Sequence, residues 1–121
     1  MSHILVVEDE MLIAILIEDM LEDLGCEVVG PVIRLDAALL LAHEAALDGA
    51  ILDVRIHGGQ VYPVAEQLLA RNIPFVLASG YGDWALPESL RDQPRLTKPF
   101  WQHDLEQQIR LLMAKARASI T

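Results

Sequence analysis

Polar side chains stand at the ends of apolar runs in four places: Glu8-Asp9-Glu10, Asp53, Ser79 and Lys98. Asp53 belongs to Ile51-Leu52-Asp53-Val54, which follows Gly49-Ala50 and precedes Arg55-Ile56-His57-Gly58-Gly59. A short apolar run bounded by turn formers reads as a buried strand. An Asp where the chain leaves a sheet serves as a nucleophile, a metal ligand or a loop cap, and this run alone does not choose among them. Ile4-Leu5-Val6-Val7 is a similar run and ends in the acidic triplet. Taken alone, those acids could equally oppose the dipole of a following helix. Leu77-Ala78-Ser79 ends in a hydroxyl, and Arg95-Leu96-Thr97 ends at Lys98-Pro99.

Together the four places describe a more specific chemistry. Carboxylates sharing a dry crevice raise one another's pKa unless a cation sits among them. Oxygen-only ligands suit Mg2+, which keeps several waters and favours a site shared with a phosphate. A lysine contributes a point charge to phosphate oxygens, and a hydroxyl contributes a hydrogen-bond donor. An Asp in such company can act as a nucleophile and carry a phosphoryl group as an aspartyl-phosphate. Metal and ammonium would stabilise charge on the transferring oxygens.

These groups converge only if the strands carrying them are parallel neighbours. Strands are expected at residues 4–7, 27–33, 49–54, 75–79 and 95–97, and helices at 11–24, 36–47, 61–71, 87–91 and 101–118. Alternation of this kind implies a parallel sheet with helices on both faces, two on one and three on the other. The fold class is therefore α/β: a flavodoxin-like (βα)5 doubly wound sheet of strand order 2-1-3-4-5. That order puts the strand containing Pro31 at an edge, where proline is tolerated, and the acids at the switch point between strands one and three. Leu12, Leu16, Met20 and Leu24 are expected on the buried face of the first helix, with Met11 and Ile15 exposed. Leu105, Ile109, Leu112 and Met113 should be buried in the last helix.

Length and composition bound the reading. The 121 residues suit a single domain, 1–121. Apolar residues make up 53% and charged residues 22%, enough for a substantial core. A net charge of −9 argues against a nucleic-acid partner, which requires clustered Lys and Arg. Cys26 is the only cysteine, so no internal disulfide forms. No apolar run approaches the ~18 residues of a membrane span, and Met1-Ser2-His3-Ile4 has no basic leader. A cytoplasmic location without membrane attachment is expected. The four histidines have no metal-like spacing.

Leu5-Val6-Val7-Glu8-Asp9-Glu10, Ile51-Leu52-Asp53-Val54, Ser79-Gly80 and Leu96-Thr97-Lys98-Pro99-Phe100 resemble the receiver domains of two-component response regulators, over essentially the whole chain. The resemblance implies that Asp53 takes a phosphoryl group from a histidine kinase or phosphotransfer protein. It also implies that Glu8 and Asp9 hold Mg2+ with Asp53 and the backbone carbonyl of Arg55, that Ser79 hydrogen-bonds the phosphoryl group, and that Lys98 neutralises it. A cis Lys98-Pro99 bond is expected with it.

The chain departs from the family where Arg95 stands in place of the usual aromatic switch residue. Leu77-Ala78-Ser79-Gly80-Tyr81-Gly82 resembles instead a variant of the motif of the FAT GUY receivers, so the loop 80–86, with Tyr81 and Trp84, is the expected mover. The Arg55 side chain either reaches the acidic site or remains a solvated loop cation.

No DNA-binding or catalytic module is expected after Thr121. Output is then expected through contact with a downstream protein, by draining phosphate from another regulator, or from a longer chain of which this is a part. The surface for it would be strands four and five and the last two helices. Receivers often dimerise, which adds a homodimer to the expected partners. Two other readings compete. A Mg2+-dependent phosphatase with an aspartyl nucleophile would need a general acid two residues after Asp53, where Arg55 stands. A pseudo-receiver docking module would lack an acid or the lysine.

Overall fold

Buried runs and helical periodicity alternate along the chain, and the fold follows them. The computed structural model describes residues 2–80 and 86–120. Its strands are β1 (His3–Val7), β2 (Glu27–Val32), β3 (Gly49–Asp53), β4 (Arg55–Ile56), β5 (Gly59–Gln60), β6 (Phe75–Ser79) and β7 (Arg95–Thr97). Its helices are α1 (Met11–Asp23), α2 (Leu35–Glu44), α3 (Tyr62–Ala70) and α4 (Gln102–Ile120), with a 3-10 turn at Glu88–Leu90. Five strands form one parallel sheet in the order β2-β1-β3-β6-β7. Counting only those five, this is the expected 2-1-3-4-5.

Alternation along the central strands divides the core between the two faces. Leu5, Val7, Ala50 and Leu52 face α2, α3 and the 3-10 turn, through Ala38, Ala42, Val64, Leu68 and Leu90. Ile4, Val6, Ile51 and Val76 face α1 and α4, through Ile17, Leu21, Leu105, Ile109 and Leu112. Burying each large aliphatic side chain stabilises the fold by about 1.5–3 kcal/mol. Leu52→Ala, in the strand that carries Asp53, should therefore cost about 2–5 kcal/mol.

Several local expectations needed correction. The buried face of α1 is Ala14, Ile17 and Leu21, while Leu12 is 83% exposed. A strict every-fourth row drifts around a helix of 3.6 residues per turn, so its first member rotates out of the core. Met11 and Ile15 are exposed, as expected. Helix α2 stops at Glu44 rather than 47, where Ala45 turns extended. The Arg71 guanidinium donates to the carbonyls of Ala42 (2.7 Å) and Ala45 (2.9 Å) and satisfies this end. The helix expected at 87–91 is only the 3-10 turn.

Gly58 and Gly59, read as a flexible turn, instead close a small antiparallel hairpin, β4–β5. The Gly30-Pro31 and Lys98-Pro99 peptide bonds are both cis. Pro31 lies in the edge strand β2, beside a break in its register with β1. Tyr81 and Trp84, expected in the moving loop, lie outside the described residues. No helix among the described residues is long and apolar enough to cross a membrane.

Candidate functional site

Register brings the polar strand ends together. Val7 pairs with Leu52, Asp53 with Ala78, and Ser79 with Thr97. Residues just beyond β1, β3 and β7 therefore meet at one edge of the sheet. Asp9, Glu10, Asp53, Arg55, Gly80 and Lys98 line a cavity of about 350 Å3 there. Ser79, buried at the end of β6, does not line it, but its carbonyl accepts the Lys98 backbone N–H at 2.8 Å.

The Lys98 ammonium organises the acids. Nζ lies 2.7 Å from Glu8 Oε1, 3.0 Å from Asp53 Oδ2 and 3.2 Å from Glu10 Oε1. It also donates to Glu8 Oε2 at 3.0 Å. Glu8 and Asp53 are buried, 1% and 6% exposed, so these pairs sit in a poorly hydrated setting. Burial pushes the Asp53 carboxyl up, the hydrogen bond and negative charge of Glu8 push it further, and Lys98 only partly offsets them, leaving it at about 8. Burial pulls the Lys98 ammonium down, but Glu8 and Asp53 more than reverse this and hold it above the ordinary lysine value. Exposed His57 approaches Asp9 at 4.0 Å. The Arg55 backbone N–H donates to Asp53 Oδ1 at 3.3 Å.

The donor set suits a small hard cation. Glu8, Asp9, Glu10 and Asp53 each offer a carboxylate oxygen, all within 4.8 Å of one another. Glu8 Oε1 is buried and, among the described residues, has only the Lys98 ammonium beside it, at 2.7 Å. Hard oxygen donors in this density match Mg2+. Glu10 was not among the expected ligands. It belongs to the acidic triplet, and what revealed it was its reach across to Lys98.

No family model matches the chain, and no curated protein matches it. Solved structures do. SdrG from Sphingomonas melonis Fr1 is 42% identical, with 96% of each chain covered and a TM-score of 0.79. The BeF3-activated conformation of SdrG, from Pseudomonas melonis Fr1, is 44% identical over 92% of this chain and 95% of that one, with a TM-score of 0.74. The response regulator PhyR from Brucella abortus is 30% identical over 98% of this chain and 50% of its own, with a TM-score of 0.78. The chain belongs to the response-regulator receiver domains.

The receiver thus takes part in two-component signal transduction. A receiver domain of a sensor histidine kinase from Pseudomonas aeruginosa, solved with a magnesium ion coordinated in its active-site cleft, shares the fold at 22% identity over 93% of this chain and 98% of that one, with a TM-score of 0.73. In this receiver Glu8, Asp9, Asp53, Arg55 and Lys98 are brought together, whereas Ser79 is buried at the end of β6, next in sequence to Gly80, which lines the cavity.

Proposed function

We propose that Asp53 is the phosphoacceptor of this receiver and that its donor is a histidine kinase or a phosphotransfer protein. The reading is carried by one observation: the Lys98 ammonium lies 3.0 Å from Asp53 Oδ2 inside a cluster of further carboxylates. Such a cluster accepts another anion only if cations offset it.

Glu8, Asp9 and Asp53, with the backbone carbonyl of Arg55, hold Mg2+ in this reading, and Glu10 adds a carboxylate nearby. Bound there, the cation supplies charge neutralisation for the phosphoryl oxygens. Asp53 releases its proton to solvent when the site is loaded with the cation, and a carboxylate oxygen attacks phosphorus in line with the departing imidazole nitrogen. The O–P bond forms as the N–P bond breaks, and the imidazole leaves with the electron pair. Lys98 then pairs with the phosphoryl oxygens, and Ser79, at the end of β6, donates its hydroxyl. The receiver performs transfer and hydrolysis on itself and signals by protein contact or serves as a phosphate sink. A downstream protein and a second copy complete the proposed partners.

Residues 1–121 act as one receiver domain. The buried, free Cys26 suits a reducing cytoplasm, where we place this chemistry. The absence of an acid at position 55 speaks against a dedicated phosphatase.

The test is intact mass after incubation with acetyl phosphate, with Mg2+ or a chelator. One added phosphoryl group in Mg2+, absent with the chelator and absent in Asp53→Asn, is expected. Labelling that persists in Asp53→Asn overturns the assignment.

A further inference from the structure

The hairpin after Asp53 is attached on two sides. It closes on itself through Val61 N–H to the Val54 carbonyl at 2.8 Å, and Val54 N–H is tied to the Ala78 carbonyl at 2.9 Å. Its tip is joined to the β2–α2 connection. His57 N–H donates to the Ile33 carbonyl at 3.1 Å, Leu35 N–H donates to the His57 carbonyl at 2.8 Å, and Arg34 and His57 form a parallel bridge. The same hairpin begins with Arg55, whose N–H holds Asp53 Oδ1.

We infer that this seam is a positioning strap for the acidic cluster, with Gly58 as the residue on which it depends. The inference rests on the Mg2+ site proposed above. Gly58 has φ +100, which L side chains rarely adopt, and a Cβ there would lie 3.2 Å from Leu35 Cβ. A side chain at 58 is therefore strained by the backbone and requires Leu35 or the hairpin to give by a few tenths of an ångström. The displacement travels two ways: it opens the bonds to Ile33 and Leu35, and it moves Arg55, freeing one oxygen of Asp53. Hydrogen bonds that orient a ligating carboxylate commonly govern metal affinity about tenfold or more. The strap thus acts on the site through Arg55, whose carbonyl is a proposed ligand and whose N–H orients Asp53, while its tip at residues 57 and 58 stands apart from the proposed ligands.

A matched control is built into the chain. Gly25 has φ +82 but nothing within 4 Å of its would-be Cβ. Gly25→Ala therefore pays the backbone cost alone, far from the site. Leu35→Pro is a second probe of the strap. Residue 35 opens α2 and Arg34 before it is extended (φ −116, ψ 144), so proline suits the helix start, while its ring replaces the N–H donated to His57 and forces that carbonyl away.

Isothermal titration with Mg2+ and thermal unfolding in chelator would be run on all four proteins. About tenfold weaker Mg2+ binding is expected in Gly58→Ala and severalfold weaker in Leu35→Pro, with Gly25→Ala at the wild-type affinity. Wild-type affinity in Gly58→Ala and Leu35→Pro overturns the strap. Equal weakening in all three variants also overturns it, because stability alone would then explain the loss. If Gly58→Ala does not fold, Leu35→Pro against Gly25→Ala decides. Failure of the wild type itself to bind Mg2+ is a separate result and removes the site beneath the inference.

Discussion

Replacing Asp53 by Asn should stabilise the metal-free protein, and more so as the pH rises. The folded chain keeps the Asp53 carboxyl protonated up to about 8, against 3.8 for an ordinary Asp. Between those values the folded state binds a proton that the unfolded chain has lost. Unfolding stability then falls as pH rises through this window, because the slope follows protons bound unfolded minus folded. Moving a carboxyl from 3.8 to about 8 bounds the cost at ~6 kcal/mol. Asp53 keeps Lys98 as partner at 3.0 Å and interacts strongly with its neighbours, so on the order of 2 kcal/mol near pH 8 is the working figure. Asn keeps the shape and carries no charge, and Lys98 retains both oxygens of Glu8. For a chain of 121 residues the gain is roughly 8 °C in Tm near pH 8 and close to nothing near pH 4. Circular dichroism melts in chelator at the two pH values measure it. Adding Mg2+ should raise the wild-type Tm by mass action and the variant's much less. A Tm difference independent of pH, or a variant less stable near pH 8, would refute the reasoning.

Other perturbations have equally definite outcomes. Lys98→Met leaves Glu8 and Asp53 buried without their ammonium, so metal-free stability should fall by about 3 kcal/mol in denaturant titration, with part recovered in Mg2+. In the same variant, labelling by acetyl phosphate should drop sharply. Arg71→Ala removes two hydrogen bonds to the end of α2 and should cost about 1–3 kcal/mol, with phosphoryl labelling unchanged. Arg55→Ala keeps the backbone N–H that holds Asp53, so its Mg2+ affinity by calorimetry should stay within about twofold of wild type.

Most of the sheet was legible because its strands are continuous apolar runs, and a strand buried on both faces has few other readings. The convergence of Glu8, Asp9, Asp53 and Lys98 followed from strand order alone, since parallel strands put all their carboxyl ends at one edge. What escaped the sequence depended on contacts between distant segments. The exposure of Leu12 reflects helix phase, which an every-fourth row misrepresents. The end of α2 is set by Arg71, about 26 residues further on. The β4–β5 hairpin needs glycines with positive φ at 58 and 59 and a partner at residues 33–35. In sequence, Gly58-Gly59 looks only like a flexible turn. Glu10 was read as part of an acidic triplet, and its place in the cavity wall, among the other carboxylates and 3.2 Å from Lys98, is what the structure adds.

The most direct measurement is the location of the label. Protein phosphorylated with acetyl phosphate in Mg2+ can be reduced with borohydride, which converts an aspartyl-phosphate to homoserine, and then mapped by peptide mass spectrometry. Homoserine at position 53, lost in the presence of chelator, is the predicted result. Homoserine at Asp9 or another aspartate, the longer alcohol 5-hydroxynorvaline at Glu8 or another glutamate, or neither despite a labelled chain, would contradict the assignment of Asp53 as phosphoacceptor.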